Sequence, residues 1–159
     1  MYQFKETQRF RQWWLWLLMV ISVLPIPAMW VVEYTKGNEL DLWELILVSV
    51  LPVLVLLLFF AMKLTTRIDS TGVHYRFIPF HFKERTVAWD VIESAQIRKY
   101  NPIGEYGGWG LKYGFKHGKA INVSGNMGLQ LVLKDGKKVL IGTQKAGEVE
   151  MVLKDLRKG

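Results

Sequence analysis

Cysteine is absent from all 159 residues, which excludes a disulfide framework and a thiolate zinc site. Histidine is scarce: His74, His81 and His117 fall at no ligand spacing, so no metal site is expected. Acyl transfer needs a serine, a histidine and an aspartate in mutual reach beside an oxyanion hole. Ser124, His117 and Asp135 are present, but nothing like a nucleophile elbow surrounds the serine. The segment KYNPIGEYGGWGLKYG at 99–114 carries Gly104, Gly107, Gly108 and Gly110 without the G-x-G-x-x-G spacing of a dinucleotide site. It also lacks the lysine pattern of a Walker loop. These residues predict neither enzyme activity nor a cofactor.

Charge is missing from two stretches. WWLWLLMVISVLPIPAMWVV at 13–32 runs for 20 residues and LILVSVLPVLVLLLFFAM at 45–62 for 18. At a helical rise of about 1.5 Å per residue each approaches the roughly 30 Å of a hydrocarbon core. Neither has a polar stripe at helical spacing, and the first is too long for a signal-peptide core. The reading is a transmembrane helical hairpin at 13–62, with spans at about 13–32 and 43–62, after a cytoplasmic N-terminal segment at 1–12. Lys5, Arg9 and Arg11 precede the first span and Lys63, Arg67 and Arg76 follow the second, whereas the connecting loop holds only Lys36. The positive-inside rule then puts both termini in the cytoplasm and the protein in the cytoplasmic (inner) membrane. Trp13, Trp14 and Trp16 at one end and Trp30 and Trp43 at the other suit the two aromatic belts as membrane anchors, and Glu44 belongs at the outer interface. Pro25, Pro27 and Pro52 predict kinks.

Residues 63–159 hold 17 lysines and arginines against 9 acids, a net of +8. A basic domain beside an anionic leaflet is attracted to it, so membrane lipid is an expected partner and nucleic acid is not. The hydropathy period here is that of strands. LTTRID, the turn STG and VHYRFIPF read as a hairpin, followed by RTVAW, a bend at DVIES and AQIRKY. WGLKYGF, KAINVS, LQLVLK and KKVLIG follow, the last two joined by a two-residue turn at Asp135 and Gly136. In the final segment Val149, Val152, Leu153 and Leu156 recur at i, i+3, i+4 and i+7, one face of an amphipathic helix with Thr143 as its N-cap.

This order resembles the pleckstrin-homology (PH) superfold. The whole chain is similar to small bacterial membrane proteins that join a transmembrane hairpin to a bacterial PH-like domain. The resemblance rests on LTTRIDSTGVHYR straight after the second span, RTVAWDVIESAQI, LVLKDGKKVLIGTQK and the closing helix. It implies a membrane α-hairpin plus a mainly-β domain at 63–159, built as a PH-like barrel of seven or eight antiparallel strands with a C-terminal amphipathic helix. It implies no catalytic residues. The function implied is a membrane-anchored module that binds a protein, a peptide or a lipid head group. The alternative is a structural or accessory subunit of a larger membrane complex assembled through the hairpin. PH domains that hold phosphoinositides carry several bases around the first hairpin. Here that turn is Asp69, Ser70, Thr71 and Gly72, with Arg67, His74 and Arg76 nearby.

If every strand crosses the domain, the loops alternate between two levels. The turns at 69–72, 90–94, 116–118 and 135–136 then point away from the bilayer, and those at 79–84, 101–108 and 125–128 point toward it. Two of the latter have interfacial composition: Phe80, Phe82 and Lys83 in one, and Ile103, Tyr106 and Trp109 in or beside the other. These six are the residues expected at the membrane interface or against a partner.

Overall fold

The computed structural model describes residues 4–37, 41–114 and 116–158 and divides into two compact units, residues 11–61 and residues 1–10 with 62–159. In the helical unit α1 (Trp13–Val23) and α2 (Pro25–Thr35) join at Leu24, which keeps helical angles and donates to Val20 O. Pro25 is tolerated there because the first helical position has no amide partner to lose. Together they make 23 residues, Trp13–Thr35, long and apolar enough to cross a membrane. Helix α3 (Leu42–Ala61) follows, begun by Asp41, whose carboxylate accepts from the Trp43 amide at 3.0 Å. Its apolar part, Ile46–Ala61, is shorter. Trp16 of α1 meets Phe60 of α3 edge to face, with centroids 6.2 Å apart. Trp13, Trp14, Trp30 and Trp43 are exposed.

The second unit is mainly β. Strands β1 (Phe4–Arg9), β2 (Lys63–Asp69), β3 (Gly72–Ile78) and β4 (Arg85–Ala88) form a four-stranded antiparallel sheet in that order. A 3-10 turn at Trp89–Val91 leads to β5 (Ile92–Lys99), the short helix α4 (Pro102–Tyr106), β6 (Gly110–Gly114), β7 (Gly118–Asn122), β8 (Met127–Leu133), β9 (Lys138–Gly142) and α5 (Ala146–Lys158). The second sheet has five strands in the order β5-β8-β9-β7-β6. Leu64, Ile68, Val73, Phe77, Ile121, Leu129, Leu131, Leu140 and Ile141 fill the core, and α5 adds Val149, Val152 and Leu153.

Several expectations are corrected here. The strands number nine among the described residues and lie in two sheets rather than one closed barrel. They are not all antiparallel, since β7 and β9 run parallel with Ile121 opposite Ile141. Residues 4–9 are not a separate tail. They pair with β2 from Phe4 opposite Ile68 to Arg9 opposite Lys63, turning Phe4, Glu6 and Gln8 inward. Glu6 accepts from the Thr143 hydroxyl at 2.6 Å and the Gln144 amide at 2.9 Å, and Gln8 donates to Gly142 O at 2.7 Å. Thr143 is therefore buried two residues short of a capping position, and α5 begins at Ala146. The bend expected at 90–94 is a 3-10 turn at Trp89–Val91 followed by a register shift between Ile92 and Ser94, within β5 as it starts to pair with β8. The β8–β9 turn is also longer than expected: Leu133 and Lys137 close a three-residue loop in which Gly136 takes φ 80°, the left-handed position such a loop requires.

Candidate functional site

The connection at 79–84 is built by packing from below. Phe77 is fully buried, and the Phe80 ring stacks on it with centroids 5.6 Å apart at 17°. Phe82 has no such partner and is 76% exposed, and Lys83 beside it is also exposed. His81, between the two phenylalanines, turns the other way. It is buried edge-on against the Tyr75 ring at 6.0 Å, and its amide donates to Phe77 O at 2.7 Å. The short loop thus exposes Phe80, Phe82 and Lys83 and withdraws the histidine. Register puts Ile78 opposite Lys63, so this loop leaves the sheet at the end where β1 stops and β2 starts.

The glycine segment behaves differently. Asn101 caps α4, accepting from the Gly104 amide at 3.0 Å, and Gly107 closes the helix at φ 71°. Glu105 accepts from the Asn101 amide at 2.8 Å and from both terminal nitrogens of Arg98, at 3.2 and 2.8 Å. The Arg98 guanidinium holds the Glu105 carboxyl below its ordinary range. Arg98 Nε donates to Gln130 Oε1 at 3.0 Å, tying the helix to β8. Tyr106 is buried with Tyr100, Ala120 and Leu140, and its hydroxyl donates to His117 O at 3.2 Å. Burial pushes its phenol upward. Tyr106 is thus a core residue, which corrects the expectation that it lies at an interface. Its ring lies against His117, in the turn that strand alternation assigned to the other level. Trp109 is half-buried, its indole donating to Gly125 O at 3.2 Å, and of this group only Ile103 is fully presented. The Asn101 side chain caps the helix N-terminus, and the glycines shape a folded connection between β5 and β6.

The first hairpin is a closed acidic knot. Asp69 Oδ1 accepts from the Thr71 amide at 2.8 Å, the Thr71 hydroxyl at 2.6 Å and His74 Nε2 at 3.1 Å, while Oδ2 takes Arg67. Hydrogen bonds from Thr71, then from His74, hold the Asp69 carboxyl far below the usual carboxylate range. The Trp89 indole donates to Asp69 O at 2.8 Å, and His74 Nδ1 meets the Thr86 hydroxyl at 2.8 Å. Arg67 spends its other nitrogen on Glu84. Arg67 and His74 are thus both engaged with carboxylates at this turn.

A groove of about 430 Å³ lies between β5 and α5, lined among others by Ser94, Gln96, Met127, Glu150 and Lys154. The residues considered for acyl transfer are not assembled. Ser124 and His117 flank opposite ends of β7, where Ser124 accepts from Gln144 and His117 faces Glu105, while Asp135 pairs with Lys137 at 2.7 Å. No cluster of three metal-ligating side chains occurs among the described residues. No family model, no curated protein and no solved structure matches the chain.

Proposed function

We propose that the chain is a non-enzymatic, PH-like binding module held at the inner face of the cytoplasmic membrane by a two-helix transmembrane hairpin, with both termini cytoplasmic, and that it recognises a lipid head group. The observation that carries this reading is the 79–84 connection, which offers Phe80 and Phe82 to an apolar layer with Lys83 beside them. Exposed aromatics rimmed by bases on a small domain mark an interaction surface, and an anionic leaflet is the partner that satisfies both. The second span of this reading is α3, whose 20 residues reach about 30 Å at about 1.5 Å each, with Ile46–Ala61 as the apolar part and Glu44 at its outer end. The runner-up is an accessory subunit packed into a larger membrane assembly. It is supported by the apolar side chains that α1 and α3 leave outward, from Leu17 and Leu18 to Leu57 and Phe60.

The test is lipid retention. Full-length protein extracted in a mild uncharged detergent should carry anionic phospholipid into native mass spectrometry, and Phe80→Ser with Phe82→Ser should strip it. Retention unchanged by the pair would contradict the head-group reading. A protein partner that survives the loop change but is lost when the helices are replaced would establish the subunit instead.

A further inference from the structure

We infer that Tyr75, His81, Arg85 and Lys119 form a binding site for a phosphate group, carried either by a lipid head group or free in solution. The inference rests on the head-group reading only for the source of that phosphate. Tyr75 sits mid-strand in β3 with Arg85, the first residue of β4, directly across from it. Directly opposite neighbours across an antiparallel pair project from the same face of the sheet, so Arg85 shares the face of the Tyr75 ring. From the other sheet, Lys119 of β7 brings its Nζ over the same ring, 5.6 Å from the centroid. His81 lies edge-on to that ring from the loop above, and its Nδ1 is buried with no hydrogen-bond partner among the described residues.

Three basic groups thus surround one aromatic ring. Elsewhere Arg67, Arg98, Lys137, Lys145 and Lys154 each hold a carboxylate. Among the described residues, neither Arg85 nor Lys119 has one within ion-pair distance. The crowding is felt: burial first, then Arg85, pushes the Lys119 ammonium down, and burial followed by Lys119 and Arg85 pushes His81 down. Neighbouring cations with no carboxylate within ion-pair distance, beside a buried ring nitrogen with no partner, leave the cluster short of negative charge. An anion supplies it. A phosphate has enough oxygens to accept from Arg85, Lys119 and a His81 N–H together, whereas a carboxylate has only two. In the first hairpin, by contrast, Arg67 and His74 already face the Asp69 carboxylate.

The experiment titrates full-length protein in uncharged detergent with two probes, inorganic phosphate and dihexanoyl phosphatidate, following the His81 ring resonances and thermal unfolding. Lys119→Gln and Arg85→Gln should fold as well as the parent, since each removes a like charge from the cluster. Each should weaken binding by about tenfold or more, the loss expected for one charge-assisted hydrogen bond. Binding of both probes assigns the site to the phosphate group itself. Binding of phosphatidate alone, lost with Phe80→Ser and Phe82→Ser, assigns it to lipid. No binding of either probe by folded protein, or binding undiminished in the Lys119→Gln, Arg85→Gln double variant, overturns the inference. Lipid retained on extraction without binding in this titration would leave the head-group reading standing and remove only this site. Phosphate bound by protein that retains no lipid would do the reverse.

Discussion

The connection at 79–84 turns two phenylalanines outward and a histidine inward, whereas the connection at 101–109 turns its tyrosine inward and half-buries its tryptophan. Both join strands and both are aromatic. The difference lies in what each polar atom finds. The Tyr106 hydroxyl, the Trp109 indole and the Glu105 carboxylate each reach a partner inside the domain, and those bonds draw the segment down. Phe80 and Phe82 have no polar atom to satisfy. Phe80 stacks on Phe77 beneath it and is half exposed, and Phe82 is three-quarters exposed. An aromatic loop presents a surface when its rings lack internal partners, and it staples the fold when they have them.

The largest effect that sharpens this contrast comes from truncating one ring in each connection. Tyr106→Ala should destabilise the β unit by about 3–5 kcal/mol, the cost of emptying a core aromatic site, while Phe82→Ala should stay within about 0.5 kcal/mol of the parent. Chemical unfolding of the full chain in detergent measures both, and equal losses would break the distinction.

Glu105→Gln comes next, at about 1–3 kcal/mol, because it removes a charge-assisted pair and leaves Arg98 half-buried without its carboxylate. The pH dependence has a definite sign. The Glu105 carboxyl is held below its ordinary value of 4.5, so it stabilises the fold above that value and the contribution is lost as pH falls through the folded value. Unfolding curves between neutral and acid pH should therefore converge for parent and variant. A gap that stays constant would show that the pair contributes nothing electrostatic.

Gly107→Ala should cost least, about 1 kcal/mol, since nothing lies within 4 Å of an added methyl group and only the left-handed backbone angle resists it. A much larger loss would mean that the segment is packed more tightly than its open surroundings imply.

Much of the β unit could be read from the period of its apolar residues. Val149, Val152 and Leu153 mark the buried face of α5, while in β8 the alternation of Leu129 and Leu131 about Gln130 suggested one buried face where the structure buries all three, the glutamine amide donating to Leu131 O and Val139 O. Strand β1 could not be read so, because two of its three inward positions are Glu6 and Gln8, whose burial is licensed only by Thr143, Gln144 and Gly142 at the far end of the chain. The parallel pairing of β7 with β9 has no local signal either. Helix α4 did carry one, since Asn101 followed by Pro102, with Gly107 just past the end, is a capping pattern at both termini. Four glycines obscured it. The presented loop was legible in PFHFK, but its inward histidine was not, because the sequence alone does not show that Lys119, 38 positions on, shares a ring with it.

The central claim is that the 79–84 connection, and not the glycine segment, meets the membrane. Because the chain has no cysteine, single cysteines at Phe82, Ile103 and Thr71 can each carry a fluorophore in full-length protein reconstituted into bilayers with anionic lipid. Quenching by spin-labelled lipid should be strong at position 82 and weak at 103 and 71. Equal quenching at 82 and 103, or none at 82, would contradict the account.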